Sequence, residues 1–554
     1  MNDTQAPLRS SPTDWLARHQ GLVAVLVAGF VLRWDELGRW WLNPDEGTYY
    51  SILTRESVSG FWQEIAGHAH PPLYYLFLRI VGSVSWDFQW LRLPSVLLGL
   101  TATAVVWALA RRLSGGGARG EVAGLVAGLF MALSPSLVEM SQVMRPYTLQ
   151  LTLLSAALLF LLRYLDEGGR RNLGVYLALA VLAVLTHYSS VLAVTAFGLI
   201  VAHDGLANGF ARREWRVLAL THAFPAVALG LFYVVHLRDV MASELASEAL
   251  TGWLAPYMIE GPESAWRAFL GFHRLLAEGW LRGATALLTL ALLGSPVALM
   301  ASSRASGRRK AGTAGRFRPA LLAGSALTIA IPLAALGIYP LGPTRHSAWM
   351  LPLVVPGLGW VVAHAVGGTD FRLHRAAGIV LLVVLAGPIA DVHAPVPAPE
   401  HVVTRAGIAE FLDLIDPDAA HEPIVMSMQT YYLLLPFYVA ERERSISSPD
   451  GRFFHFRLGE RPVIVSEAWN LSAVGTRDGD HLQVLLERAA TAFPELGLDD
   501  AARVVFFTGG WRPSIIDEIR AAHARSPFIV SQRSVPGLWA FLLDAPALRA
   551  AYTP

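Results

Sequence analysis

Three observations predict a polytopic α-helical membrane protein that ends in a small α/β domain. Charged residues make up 16% of the 554-residue chain, against roughly 25% in a typical soluble domain, and the mean hydropathy is +0.43. Apolar runs close to the about 20 residues that cross a bilayer recur as far as residue 392. Arginines crowd into a few short connections between those runs. A surface this poor in charge is expected to be covered largely by lipid rather than water.

The elements follow in chain order. Residues 1–20 are polar and carry Arg9 and Arg18. The apolar run after them lacks a small-residue cleavage site, so it reads as a retained first span. Spans are expected near 20–34, 91–112, 121–139, 146–165, 173–187, 189–205, 217–236, 279–302, 320–339, 345–366 and 376–392, about eleven in all. The connections bearing Arg111, Arg112 and Arg119, then Arg170 and Arg171, then Arg212, Arg213 and Arg216, then the six basic residues from Arg304 to Arg318, then Arg372 and Arg375, all fall on one side of this count. Excess arginine in short loops marks the cytoplasmic side. The connections at 140–145, 187–189, 237–278 and 340–344 are then extracytoplasmic. Residues 71–86 are apolar too, but a span there would move every later arginine loop outside. They are expected to form an interfacial or re-entrant helix within an outer loop, 35–90. That loop carries Trp40, Trp41, Trp62, Trp86 and Trp90, a residue that favours headgroup depth.

A Pro/Ala linker, 394–399, closes the transmembrane module of residues 1–393. Beyond it, residues 400–554 have soluble composition. Short β-branched runs (Pro423–Met428, Pro462–Ser466, Arg503–Thr508, Phe528–Ser531 and Leu538–Leu543) alternate with helical patterns such as Ile515–Ala524, which predicts an α/β domain. An odd number of spans puts it outside the cell or inner membrane that the protein crosses. The chain has no cysteine, so disulfides and thiolate metal sites are excluded, and a net charge of +1 without a long basic run gives no sign of nucleic acid as a partner.

Four groups of polar residues fall on the expected outer face. Asp45 and Glu46 in LNPDEGTYY form a carboxylate pair. Such a group can act as general base on a hydroxyl, or can cap the helix that starts at Pro44. His68, His70, Tyr74 and Tyr75 lie in GHAHPPLYYLFLR. The two histidines could bind a divalent cation together with Asp45, or could hydrogen-bond a phosphate or a sugar. Glu139, Gln142, Arg145 and Tyr147 lie in VEMSQVMRPYTL, and Arg345 and His346 in GPTRHSAWMLP. The arginine fork suits phosphate. His187 occupies another outer turn.

The order NPDEGTYY, HPPLYYLFLR, LRLPSVLLG and SPSLVEMSQVMRPYTLQLTLLSAALLF over residues 43–160 resembles the bacterial membrane glycosyltransferases of family 39, in the GT-C superfamily. These include the protein O-mannosyltransferases and the lipid A aminoarabinose transferase. The resemblance implies a GT-C fold and an enzyme that moves a hexose or pentose from a polyprenyl-phosphate sugar to a hydroxyl of a protein, lipid or glycan, with inversion. It implies Asp45 as the base with Glu46 beside it, Arg145 and Tyr147 as a recurrent pair, and Arg345 as a holder of the carrier phosphate. The aminoarabinose enzymes carry an acid–lysine pair before the double proline, where this chain has Ala69 and His70. The alternatives are a polytopic transporter and a lipid- or glycan-binding assembly protein without catalysis. A transporter is expected to show mid-span charge and repeated halves, and the sequence shows neither.

Overall fold

A computed structural model of the chain describes residues 12–35, 37–68, 70–238, 254–277, 289–297, 314–342, 344–366, 403–413, 421–467, 481–509 and 528–552. The amino-terminal part is helical: α1 (Pro12–Trp34), α2 (Pro44–Leu53), α3 (Val58–Ala66), α4 (Pro72–Gly82), α5 (Phe88–Leu113), α6 (Gly117–Leu133), α7 (Pro135–Ser141), α8 (Tyr147–Glu167), α9 (Arg170–Thr186), α10 (Ser190–Asn208) and α11 (Arg212–Phe232), then helices Pro262–Ala277, Ala314–Ala335 and Leu351–Val366. Among the described residues six helices are long and apolar enough to cross a membrane, and the bent pair α6–α7 makes a seventh. Of the other expected spans, 20–34 lies in the shorter apolar helix His19–Trp34 and 173–187 in the 17-residue α9. Span 376–392 and most of 279–302 lie outside the described residues. α4 has only 11 residues, about 16 Å at 1.5 Å per residue, too short to cross.

The chain divides into two compact units. The first comprises Met1–Asp35, Gly67–Phe77 and Arg92–Ala394, the second Glu36–Ala66, Leu78–Leu91 and Pro395–Pro554.

In the first unit, Leu154, Leu158, Ala183, Phe197, Ala326 and Leu358 belong to one buried core. Leu220, Phe224, Val227 and Leu231 form an exposed apolar stripe on α11, the spacing of a single helix face, as lipid contact requires. α6 breaks at Ser134–Pro135 with a 62° bend. The carbonyls freed there are met by Arg33, which donates to Ala132 O at 2.7 Å and Met131 O at 2.9 Å, and by its Nε to Ser141 Oγ at 3.0 Å. A buried arginine in a membrane helix thus serves as a cap.

A second polar network, buried at Asp204 and Arg318 and open at Asp166 and Glu167, joins several helix ends. Arg318 donates to Asp204, which is fully buried, at 2.9 Å, and to Asp166 at 2.5 Å. Arg112 donates to Asp166 at 2.8 Å and to Glu167 at 2.7 Å. The C-terminal ends of α5, α8 and α10 therefore meet the start of helix Ala314–Ala335, so these arginine-bearing connections share one end of the bundle. Along α8, Tyr147 and Asp166 are separated by about 28 Å, close to the hydrocarbon thickness of a bilayer.

The second unit joins segments of the expected outer loop to the C-terminal domain. Its seven-stranded mixed sheet runs β2-β3-β4-β1-β5-β7-β6, with β1 Ile424–Ser427, β2 Ile446–Ser447, β3 Phe453–Leu458, β4 Arg461–Ser466, β5 Arg503–Gly509, β6 Ile529–Val535 and β7 Leu538–Asp544. β1 pairs in parallel with β4 and β5 and is buried throughout, as a central strand covered on both faces must be. All five expected strands are present, and β2 and β3 were not anticipated from the sequence. Expected helix 515–524 lies outside the described residues.

α2 sits on this domain. Trp41 Nε1 donates to Leu433 O at 2.8 Å and its ring stacks on Phe437 at 5.4 Å. A methyl group at Gly47 would meet the main-chain carbonyl of Tyr432 in helix Met428–Leu434. Gly47→Ala is therefore expected to cost about 1–3 kcal/mol through overpacking, read as a lower unfolding temperature of the purified full-length protein.

Candidate active site

The site residues of the first unit gather at the end of α8 opposite the Asp166 network. Pro146 forces a new helix start, so Tyr147 opens α8. His187 ends α9, and Arg345 and His346 start the 3-10 turn that leads into helix Leu351–Val366. Tyr147, 1% exposed, is the hub. The guanidinium carbons of Arg145 and Arg345 lie 5.7 and 6.0 Å from its ring centre. The rings of His187, His70 and His346 lie at 5.3, 6.4 and 6.5 Å. His70 and His187 are 5.0 Å apart. Arg145 and His187 are each 7% exposed.

Two arginines beside one phenol, with three histidine rings around it, give the recess a cationic lining. Desolvation, then His187, Arg145, His346 and Arg345, hold the His70 imidazole well below its usual range. The Tyr147 hydroxyl is buried with no hydrogen-bond partner among the described residues, and so is Thr344 Oγ1. A buried donor left without a partner costs about 1–3 kcal/mol, and an anionic oxygen would relieve both that cost and the mutual repulsion.

His70 also sets a pH dependence. The unfolded chain binds its proton near pH 6.5, the folded chain only at much lower pH. Between those limits the unfolded state holds more protons, so stability falls as pH drops below about 6.5. The unfolding temperature should decline between about pH 7 and pH 5.5, and His70→Asn should flatten that decline.

Other expected site residues take different places. Gln142 donates to Leu32 O at 3.3 Å, Arg33 O at 3.2 Å and Asp35 O at 2.7 Å, capping the end of α1. Glu139 is exposed, and His68 is half-buried. Tyr74 and Tyr75 are buried, with the Tyr74 hydroxyl 3.3 Å from Ser95 Oγ. Three residues escaped the sequence reading. Tyr339 donates to His346 O at 2.9 Å. Ser189 Oγ lies 2.8 Å from His187 Nδ1 and accepts from Gln150 at 2.8 Å. The only signal for Tyr339 was its place just before the PLGPTRH turn.

In the second unit the adjacent carboxylates of α2 part company. Glu46, 1% exposed, completes a capping box: Glu46 N–H donates to Asn43 Oδ1 at 2.9 Å, and Asn43 N–H donates to the Glu46 carboxylate at 3.3 Å. Asp45, on the same first turn, is half-exposed. Among the described residues no three His, Asp or Glu side chains group as metal ligands.

Residues 69–234 match the family model of the dolichyl-phosphate-mannose-protein mannosyltransferases. This is the family the motifs resemble, and the matched stretch holds His70, Tyr74, Tyr75, Glu139, Gln142, Arg145, Tyr147 and His187. Among solved structures the chain is similar to ArnT from Cupriavidus metallidurans in the apo state, with 17% identity over 97% of this chain and 99% of that one and a TM-score of 0.48. The same protein bound to undecaprenyl phosphate gives 16% identity over 96% and 98%, with a TM-score of 0.48. An oligosaccharyltransferase of Archaeoglobus fulgidus in complex with Zn and sulfate gives 14% over 88% and 67%, with a TM-score of 0.44. No curated protein matches the chain.

Proposed function

We propose that the protein is a GT-C glycosyltransferase that moves a hexose or pentose from a polyprenyl-phosphate sugar to a hydroxyl acceptor on the extracytoplasmic face of the membrane. The observation that carries this reading is the cationic recess around Tyr147, whose residues His70, Arg145, Tyr147 and His187 lie in the stretch that matches a family acting on a polyprenyl-phosphate sugar. An arginine fork matches phosphate geometry, and a lipid carrier brings its phosphate to the membrane edge, where the ends of α8 and α9 lie. The arginine connections at the other end of the bundle favour the cytoplasm, which gives the recess its outward orientation.

In the proposed reaction Asp45 takes the proton of the acceptor hydroxyl as that oxygen bonds to the anomeric carbon. The bond from that carbon to the phosphate oxygen breaks on the opposite face, so configuration inverts and polyprenyl phosphate departs. The charge it gains is met by Arg145 and Arg345, oriented before the reaction starts. His70, uncharged in the empty site, gains basicity beside the phosphate. Glu46 acts as a cap rather than as a second base. The C-terminal domain, 400–554, belongs to the same extracytoplasmic side.

The test is purified protein in lipid with a panel of polyprenyl-phosphate sugars and hydroxyl acceptors, with mannose as the first sugar. Consumption of a donor with release of polyprenyl phosphate supports the reading. Failure to consume any of them, together with no measurable binding of polyprenyl phosphate, removes it.

A further inference from the structure

A closed polar ring ties the helix that carries Asp45 to the C-terminal domain. Arg442, 1% exposed, ends helix Val439–Arg442 and donates from one nitrogen to Ser51 O at 2.9 Å and Ser51 Oγ at 2.8 Å. Ser51 Oγ donates to Glu64 of α3, and Glu64 pairs with Arg55. Arg55 reaches Glu443 at 3.3 Å, and Glu443 returns to Arg442 at 3.5 Å. Two arginines and two glutamates balance, so the ring is neutral. It spans α2, α3 and the C-terminal domain, all within the second unit.

The ring holds the last turn of α2, and the Gly47–Tyr432 approach holds its first half. Together the two contacts hold α2 against the domain at two points along its length. Met428–Leu434, the helix beneath Gly47, follows directly on β1. β1 is the strand with parallel neighbours on both sides, and the carboxyl end of such a strand is where open α/β sheets commonly receive a ligand. Here that edge carries α2.

We infer that the C-terminal domain is a positioning device for the acceptor base, with Arg442 as its principal positioning residue. This rests on the reading of Asp45 as the base. Ser51 lies about 9 Å along α2 from Asp45, so Arg442 acts through the helix and not on the reacting atoms. A displacement of about 1 Å at a reacting group can cost on the order of a hundredfold in rate.

The experiment uses the full chain in lipid and exploits the absence of cysteine. A spin label on Thr48→Cys reports the mobility of α2, and undecaprenyl phosphate reports the fraction of folded sites. Arg442→Met is expected to mobilise the label and to lower turnover about tenfold to a hundredfold, with unchanged stoichiometry and affinity for undecaprenyl phosphate. Arg442→Lys should restore part of both. An unchanged spectrum in Arg442→Met overturns the clamp. A mobilised label with unchanged turnover overturns the positioning role. If Asp45→Asn turns over like wild type, the assignment of the base is at fault, and the label still decides whether the clamp exists.

Discussion

Asp45→Asn is expected to lower turnover by about 10²–10⁴-fold, the range attributed to a positioned general base, while binding of the lipid carrier stays near the wild-type level. The amide is isosteric and cannot accept the hydroxyl proton. Glu46→Gln supplies the control. A glutamine at that position keeps the capping box, since its amide oxygen can still accept the Asn43 N–H that Glu46 accepts at 3.3 Å. Turnover in that variant should stay within a few-fold of wild type. Glu46→Ala should instead lose stability, by about 0.5–2 kcal/mol for a broken cap, with little change in the rate per folded molecule. The pair of results separates two neighbouring carboxylates that the sequence presents alike. If both isosteric variants lose turnover equally, the division of labour on α2 is wrong, and both carboxylates take part in the chemistry.

That division is partly legible in the sequence. Asn43 followed three residues later by Glu46 is a capping-box signature, and Pro44 is at home in the first turn. Apolar runs and arginine spacing were equally legible, because each is a local pattern imposed by the bilayer. The Asp166–Asp204–Arg318 network agrees with the arginine count by bringing four helix ends together. Other features had no local signal. Ser51 and Arg442 are 391 residues apart, and nothing near either residue announces the other. β3 escaped notice because His455 and Arg457 interrupt its phenylalanines, although Gly459, at φ +63°, marks the turn into β4. Gln142 and Arg145 look alike as polar groups at an outer turn. Only the packing shows that one caps α1 and the other faces Tyr147.

Removing charge from the recess should give the second large effect, with an unusual sign in stability. Arg345→Gln is expected to lower turnover about 10²–10³-fold, the cost of losing one preorganised donor to a developing anion. Arg145→Gln should act similarly and weaken carrier binding as well, because Arg145 is the more deeply buried of the two. Arg345→Lys should recover only part of the loss, since a point charge does not reproduce the planar fork. Arg345 and Arg145 both flank the Tyr147 ring, so removing one of them relieves like-charge repulsion in the empty protein. The ligand-free Arg345→Gln variant should therefore unfold at the same or a higher temperature than wild type, the trade expected where a site is built for binding at a cost in stability. A purely structural arginine would give the reverse pattern, with stability falling and the rate per folded molecule preserved. The measurement is a pair of unfolding curves, with and without polyprenyl phosphate. Wild type should be stabilised more by the lipid than the variant is. Equal stabilisation in both would mean that the phosphate is held elsewhere and that the recess around Tyr147 serves another purpose.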